Sequence, residues 1–142
     1  MNVQKDLEYY RKKIIRGKQE AQQLNEEAER WREIAMSPGS VRISDVKVQQ
    51  SALYGKMENA ICKAADLEYM QLPKIIEECQ GIQREVKEFL MENLDGVMLD
   101  VMVGYYVWCL ENWSDVAKNL NKSRWQIQRL HVKALNILSS GG

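Results

Sequence analysis

Residues that interrupt helices are scarce in this sequence. Its 142 residues include only two Pro and eight Gly, and four of the Gly stand at positions 39, 96, 141 and 142, outside the segments with helical periodicity. Because Pro and Gly disfavour helix most strongly, long helices are expected. Alternating, β-branched-rich segments are also lacking, apart from Val41 to Val48. The sequence therefore predicts an all-α fold.

Residues that could carry catalysis or bind a metal are equally few. There is one His, and the three Cys (Cys62, Cys79 and Cys109) have no second Cys or His at metal-ligand spacing. No nucleophile–base pairing and no Gly-rich phosphate loop can be recognised. We therefore expect no enzyme activity, no metal and no cofactor, and we expect reduced thiols that pack as small apolar groups.

A long apolar run is missing as well. The longest, Gly96 to Leu110, is too short to cross a membrane and contains Asp100. The first residues, Met-Asn-Val-Gln-Lys-Asp, lack the apolar core of a signal peptide. These features predict a cytoplasmic protein without a membrane partner.

Charge is balanced overall but unevenly distributed. Residues 1–36 carry a net +1, residues 37–112 a net −5, and residues 113–142, with five basic groups and one acidic group, a net +4. A surface that binds phosphates needs positive charge gathered in one place. The charge distribution therefore singles out the C-terminal stretch, although charge also varies along helices without any function.

The N-terminal part has the periodicity of a long helix. Over residues 2–36, apolar or small residues follow one another at alternating spacings of four and three, which is a heptad seam that needs a partner helix. The seam positions are Val3, Leu7, Tyr10, Ile14, Gly17, Ala21, Leu24, Ala28, Trp31 and Ala35.

A break at Ser37-Pro38-Gly39-Ser40 and a linker loop at residues 41–51 are expected next. Helical spacing returns from about Ala52 to Leu94, with a kink or restart at Pro73. Its apolar positions are Leu53, Met57, Ala60, Ala64 and Leu67, and then Leu72, Ile75, Cys79, Ile82, Val86 and Phe89. Residues 1–94 thus predict a long antiparallel, coiled-coil-like helical hairpin, with a homodimer through this arm as the alternative use of the seam.

A small helix-turn-helix domain is predicted over residues 95–142. The apolar segment from Val97 to Trp108 is expected to be its support helix. Asn112 or Ser114 can cap the helix that follows, because both carry a side-chain oxygen that accepts from a free amide in the first turn.

The stretch from Asn112 to Leu138 has the pattern of two short helices joined by a tight turn. Ala117 is the small residue that a steep helix crossing needs, and Ile127 is the β-branched residue that fills the crossing from the second helix. Asn121 stands where the turn needs a left-handed conformation, which Asn tolerates best after Gly. Ser123 stands at the N-cap of the second helix.

The outward face of the second helix is basic and rich in amides, which is typical of a DNA-reading helix. Lys122 and Ser123 are predicted to touch backbone phosphate near the helix N-terminus. Arg pairs with guanine and Gln with adenine in the major groove. The groove candidates are Arg124, Trp125, Gln126, Gln128 and Arg129. His131 and Lys133 lie further along, near the DNA backbone. Trp125 is either a core residue or, as we favour, a partly exposed one that stacks on sugar or on a thymine methyl.

Two segments of this region also resemble a known family. Trp113-Ser-Asp-Val-Ala-Lys-Asn-Leu-Asn-Lys-Ser123, followed by Arg129-Leu-His-Val-Lys-Ala-Leu135, resembles the DNA-binding C-terminal (fourth) region of sigma factors. More closely, the chain is similar to small phage- and prophage-encoded sigma-like transcriptional regulators of Gram-positive bacteria. Those proteins share the long first helix, the Ser/Pro/Gly break and a stretch like Val48-Gln-Gln-Ser51. The resemblance implies binding to promoter DNA, with RNA polymerase as a candidate partner.

Three functions remain open from the sequence. The first is a transcriptional regulator that binds promoter DNA through residues 113–135. The second is a phage DNA-packaging adaptor of the small terminase type, which would carry a similar motif on a helical ring. The third is a coiled-coil scaffold without nucleic acid, in which the Arg and Gln side chains are only solvated.

Overall fold

The computed structural model describes residues 2–36 and 46–140, with the side chains of residues 2–36 and 55–140. Every regular element in these ranges is helical, so the all-α prediction is confirmed. The elements are α1 (Val3–Met36), α2 (Val46–Asp66), a π-helical turn (Leu67–Gln71), α3 (Leu72–Asn93), α4 (Gly96–Tyr106), α5 (Trp113–Asn119) and α6 (Arg124–Ser140).

The helices form two compact units. The split unit combines the residues up to Gly17 with those from Glu78 onward, and the middle unit runs from Lys18 to Glu77. Helices α1 and α3 each contribute to both units. This division differs from the predicted one, a hairpin over residues 1–94 and a separate domain over 95–142. The reason is that the ends of α1 and α3 bury their apolar faces in one core with α4 and α6.

In the split unit, α1 and the later part of α3 pack antiparallel. Leu7 and Ile14 of α1 are buried. The Ile14 carbonyl oxygen lies 3.9 Å from Cys79 Sγ of α3, whereas Leu7, one heptad earlier in α1, shares a core with Val86 and Leu90, later in α3. Leu7, Ile14, Cys79 and Val86 are all predicted seam positions, so here the seam is covered from within the chain.

Helix α4 links two hydrophobic cores of the split unit. Its residues Met102 and Tyr106 are fully buried in the first core. That core consists of Leu7, Val86, Leu90, Leu94, Met102, Tyr106, Val107, Ala134 and Leu138. Val101 belongs to the second core, together with residues of α5 and α6. The prediction that this apolar segment is a support helix is therefore confirmed.

The middle unit is packed largely by small side chains. Among the side chains that the structure describes in this unit, the buried ones are Ala28, Ala35, Ala60, Ala64 and Leu67. Small residues let helix axes approach closely but bury little apolar area each. Polar contacts add to the packing: the Lys63 ammonium lies 4.3 Å from the centroid of the Trp31 ring, and Arg32 forms an ion pair with Glu68.

The restart predicted at Pro73 takes the form of one wide helical turn. Leu67–Gln71 is π-helical, and the Leu72 amide bonds to the Leu67 carbonyl, five residues back. Proline has no amide hydrogen and its ring crowds the carbonyl one turn earlier. A wider turn directly before Pro73 accommodates that ring without ending the helix.

Two local predictions need correction. Helix α2 begins at Val46, so residues 46–51 are helical rather than part of the linker loop. The Lys and Gln residues there are good helix formers, which outweighs the period-two spacing of the valines. In α3, Phe89 is 40% exposed while Leu90 is fully buried, because Leu90 faces α4 and α6. The rest of the expected loop, residues 37–45 with the Ser-Pro-Gly-Ser break, lies outside the described residues.

Candidate nucleic-acid interface

The first helix of the C-terminal motif begins at a capped residue. Asn112 has an extended backbone, and its side-chain oxygen accepts from the Asp115 amide at 2.9 Å. This contact satisfies one of the amides that the first turn of α5 leaves without a partner. Of the two predicted caps, Asn112 and Ser114, the structure uses Asn112.

The turn between α5 and α6 is a left-handed helix ending. Asn121 has a φ of 55°, as predicted for this position. The Lys122 amide bonds to the Ala117 carbonyl at 2.9 Å, and the Asn121 amide bonds to the Lys118 carbonyl at 3.3 Å. This pair of hydrogen bonds defines a Schellman motif, which stops the helix and sets the direction of the outgoing chain. The turn therefore forms with Asn where Gly is more common.

The crossing of α5 and α6 is filled as the sequence predicted. Val116, Ala117 and Ile127 form a core with Val101 of α4, and none of the four is more than 5% exposed. The small side chain of Ala117 leaves room for the branched Ile127, and close packing of this kind fixes two helices in one orientation. The outward face of α6 is thereby held on a rigid base.

A capping box begins α6 and gives Gln126 a structural role. The Ser123 hydroxyl accepts from the Gln126 amide at 3.2 Å, and the Gln126 side-chain oxygen accepts from the Ser123 amide at 3.0 Å. This is the reciprocal pair that the Ser-x-x-Gln spacing favours. The N-cap prediction for Ser123 is confirmed. Gln126 as a groove residue needs correction, because its side chain is turned back to the start of its own helix.

The remaining predicted residues of α6 stand in solvent. The side chains of Arg124, Trp125, Gln128, Arg129 and Lys133 are all exposed. Trp125 is 63% exposed, which decides between its two predicted roles in favour of the outward one. No carboxylate lies within α6 (Arg124–Ser140). The exposed face of this helix is therefore cationic from Arg124 to Lys133, and the last two turns carry no charged residue. Lys122, in the turn, is half-buried.

Part of this face forms a shallow depression, which we call the α6 depression. It is lined by Trp125, Gln128, Arg129, Val132 and Lys133. The Arg129 guanidinium lies 4.7 Å from the centroid of the Trp125 ring, a cation–π contact that holds both side chains against the helix. Val132 was not among the predicted site residues, since an apolar side chain gives no signal of its own on a polar face. It is nevertheless 56% exposed.

Behind the motif, a layer of aromatic side chains connects α1 to α5. The ring of Tyr105 is stacked on Trp113, the first residue of α5, with centroids 4.0 Å apart. The Arg11 guanidinium lies 4.1 Å from the same Tyr105 ring. Arg11 also donates to the carbonyls of Tyr105 at 3.1 Å and Leu110 at 2.9 Å. One side chain of α1 therefore fixes both the end of α4 and the approach to α5.

His131 belongs to this inner layer and not to the outward face, so its predicted place near the DNA backbone needs correction. Its Nε2 atom and the Tyr106 hydroxyl are 2.8 Å apart, and its ring centroid lies 4.4 Å from that of Trp113. Burial raises the pKa of Tyr106, an effect to which Glu8 adds, and burial lowers the pKa of His131. Both groups are therefore neutral near pH 7. The sequence carried no signal for this layer, because Arg11 and Tyr105 are 94 residues apart.

Other kinds of site are not evident in the part of the chain that the structure describes. Within residues 2–36 and 46–140, no three His, Cys, Asp or Glu side chains are grouped so that they could hold a metal ion. In the same ranges no helix combines the length and apolarity needed to cross a membrane. No protein-family model, curated protein or solved structure matches the chain.

Proposed function

We propose that the chain is a sequence-specific DNA-binding regulator of transcription, of phage or prophage origin, that places α6 in the major groove. The observation that carries this proposal is the exposed face of α6. It presents Arg124, Gln128, Arg129 and Lys133 to solvent, with no carboxylate in the helix, on a helix pair whose core is closed behind it. This combination supports a reading helix over a merely solvated one.

The polar residues at the start and on the outer face of α6 have these roles in the proposal. Lys122 and Ser123 contact phosphate at the start of α6, where the helix dipole favours negative charge. Ser123 keeps its hydroxyl proton for this purpose, because in the capping box the oxygen accepts. Arg124 and Arg129 pair with guanine and Gln128 pairs with adenine. Lys133, about one turn beyond Arg129, contacts phosphate.

The test is selection of bound sequences from random duplex DNA with the wild-type chain. The expected result is a defined sequence, together with an affinity that falls steeply with salt because phosphate contacts release counterions. Replacing Lys133 with Ala should lower the slope of log K against log salt by about 1 without changing the selected sequence.

A matched pair of double variants makes this test specific to α6. Arg124→Ala with Arg129→Ala removes two cations from α6. Arg16→Ala with Arg84→Ala removes the same charge from exposed positions on α1 and α3. The first pair should abolish selection, and the second should leave the selected sequence intact. Equal binding by all three proteins would refute the proposed interface.

The partners follow from the resemblance and from this interface. Promoter DNA in the cytoplasm of a bacterial host is the proposed target, and RNA polymerase is the proposed protein partner.

A homodimer through the helical arm would place two α6 helices on neighbouring half-sites. The mass in solution tests this assembly: a monomer or dimer fits the regulator, whereas a large ring would favour a DNA-packaging adaptor. If the chain binds no DNA in the selection experiment, the helical scaffold is the favoured function.

A further inference from the structure

An apolar side chain, Val132, is exposed on α6 beside the cation Lys133. Val132 is 56% exposed and Trp125 is 63% exposed. Val132 follows Gln128 by four residues and Trp125 by seven, so the three side chains share one side of the helix. All three line the α6 depression, whose remaining residues are the cations Arg129 and Lys133.

A ligand that complements this lining combines anionic groups, which face Arg129 and Lys133, with a small apolar group, which faces Val132 and Trp125. The major groove of duplex DNA offers this combination, because phosphates border it and the C5-methyl of thymine is the apolar group displayed on its floor. Arg129 covers the Trp125 ring at 4.7 Å and so keeps the indole beside the depression. Gln128 is placed next to Val132, where it can pair with an adenine.

We propose that Val132, with Trp125 beside it, receives the C5-methyl group of one thymine in the bound DNA and so sets thymine specificity at that position. This inference rests on the proposed function, because it requires that α6 lie in the major groove. It adds an apolar contact to the polar readout by Arg124, Gln128 and Arg129.

The experiment starts from the DNA duplex selected by the wild-type chain. Each thymine is replaced in turn by deoxyuridine, which removes the methyl group and leaves base pairing unchanged. Dissociation constants are measured for every duplex at one fixed salt concentration. At one thymine the replacement should weaken binding about three- to five-fold, the factor expected for losing the burial of one methyl group.

Variants then assign this loss to Val132. For Val132→Ala, the duplexes with thymine and with deoxyuridine at the sensitive position should bind equally. Val132→Ile should retain the preference for thymine. Ile137→Ala is the matched control, because Ile137 is a β-branched residue of α6 that is also exposed, at 42%, but does not line the depression. This control should retain the wild-type difference between the two duplexes.

The outcomes separate the inference from the function on which it rests. If no DNA sequence is selected, the proposed function fails. If a sequence is selected but it contains no thymine, or none of its thymines responds to deoxyuridine, the methyl contact is wrong while DNA reading stands. A preference for thymine that persists undiminished in Val132→Ala would likewise overturn the inference, because the methyl group would then contact another residue.

Discussion

Two glutamines of α6, two positions apart, occupy different surroundings. Gln126 closes the capping box with Ser123, whereas Gln128 lies exposed in the α6 depression. Side-chain chemistry alone cannot distinguish them, but their hydrogen bonds do. Gln126 therefore stabilises the start of the helix, whereas Gln128 forms part of its outer surface.

This difference predicts opposite outcomes for the two alanine variants. Gln126→Ala should lower the free energy of unfolding by about 1 kcal/mol, the usual size of a capping contribution, and should leave the selected DNA sequence unchanged. Gln128→Ala should change the free energy of unfolding by less than about 0.5 kcal/mol and should relax the preference at one base pair. Urea denaturation and repeated selection measure the two effects. A changed sequence preference in Gln126→Ala would show that its side chain leaves the capping box to read DNA.

His131 makes stability depend on pH. Burial lowers its pKa below the ordinary value of 6.5, so the unfolded chain binds a proton at a higher pH than the folded chain does. Between these two pKa values the unfolded state holds more protons, and stability therefore falls as the pH is lowered below about 6.5. Above that pH, the neutral ring contributes in full.

The pH dependence is measured against His131→Gln, which keeps a polar side chain but cannot titrate. The free energy of unfolding should fall more steeply for the wild type than for the variant as the pH drops from about 7.5 to 5. Carboxylates titrate in both proteins, so the difference between the two curves isolates His131. Parallel curves would mean that the imidazole is protonated equally well in the folded chain.

Part of the interface could be predicted from local sequence, and part could not. Ala117, Asn121 and Ile127 were identified correctly because each meets a local need of the turn or of the crossing. The Ser-x-x-Gln spacing of a capping box is also present in the sequence. Had it been applied, Gln126 would not have been a groove candidate. The positions of the Arg11 and His131 side chains could not be predicted, because they depend on contacts between residues far apart in sequence.

At the scale of helices, α1 lies close to α3 at Gly17. A Cβ atom built there would collide with Cys79 Sγ. Within a helix, replacing Gly with Ala normally stabilises by about 0.5–1 kcal/mol. Here the collision should reverse the sign, because the thiol is buried and cannot move aside without disturbing its neighbours.

Gly17→Ala should therefore lower the free energy of unfolding, by about 1–3 kcal/mol. Gly81→Ala is the matched control on α3, since a Cβ at Gly81 meets nothing within 4 Å, and it should stabilise. In a double-mutant cycle with Cys79→Ala, the loss caused by Gly17→Ala should shrink. Equal losses in the presence and absence of the thiol would place the cost of the substitution elsewhere.

Helix positions followed from periodicity more reliably than helix ends did. The seam from Leu7 to Ala35 identified the buried side of α1. A long run of regularly spaced apolar residues indicates this side correctly even when one or two of its positions are exposed. The start of α2 at Val46 was missed because valines two apart also fit a strand. Phe89 and Leu90 exchanged roles for a different reason. From Val86 onward the buried positions are four apart, at Leu90 and Leu94, where α3 shares a core with α4 and α6, whereas the alternation of four and three placed the next buried position at Phe89.

At the scale of the whole molecule, the residues after 95 form the second core by themselves but only part of the first core. Four of the nine buried residues in the first core come from α1, from α3 and from the residue that follows α3, namely Leu7, Val86, Leu90 and Leu94. Arg11 adds hydrogen bonds to the carbonyls of Tyr105 and Leu110. The sequence suggested a boundary at residue 94 because the helical spacing of the arm ends there. Burial crosses that position, so the end of a helix was a poor guide to the folding unit.

Two shortened chains test this dependence. Residues 95–142 alone lack the α1 and α3 side of the first core, and a chain that loses such a share of its core should have low helix content and no cooperative unfolding transition. A second chain lacks the middle unit and joins Gly17 to Glu78 through about four Gly and Ser residues, which can span more than 10 Å. Such a link is long enough, because Gly17 lies beside Cys79, the residue that follows Glu78.

This second chain should unfold cooperatively in urea and should select the same DNA sequence as the full chain, because every residue of both cores and of the α6 face is retained. Replacing Arg11 with Ala in it should lower its free energy of unfolding more than replacing the exposed Arg16 does, since the carbonyls of Tyr105 and Leu110 then lose a charged donor. Circular dichroism and DNA selection measure both effects. If residues 95–142 alone unfolded cooperatively and selected the same sequence, the C-terminal helices would fold without α1 and α3, contrary to this prediction.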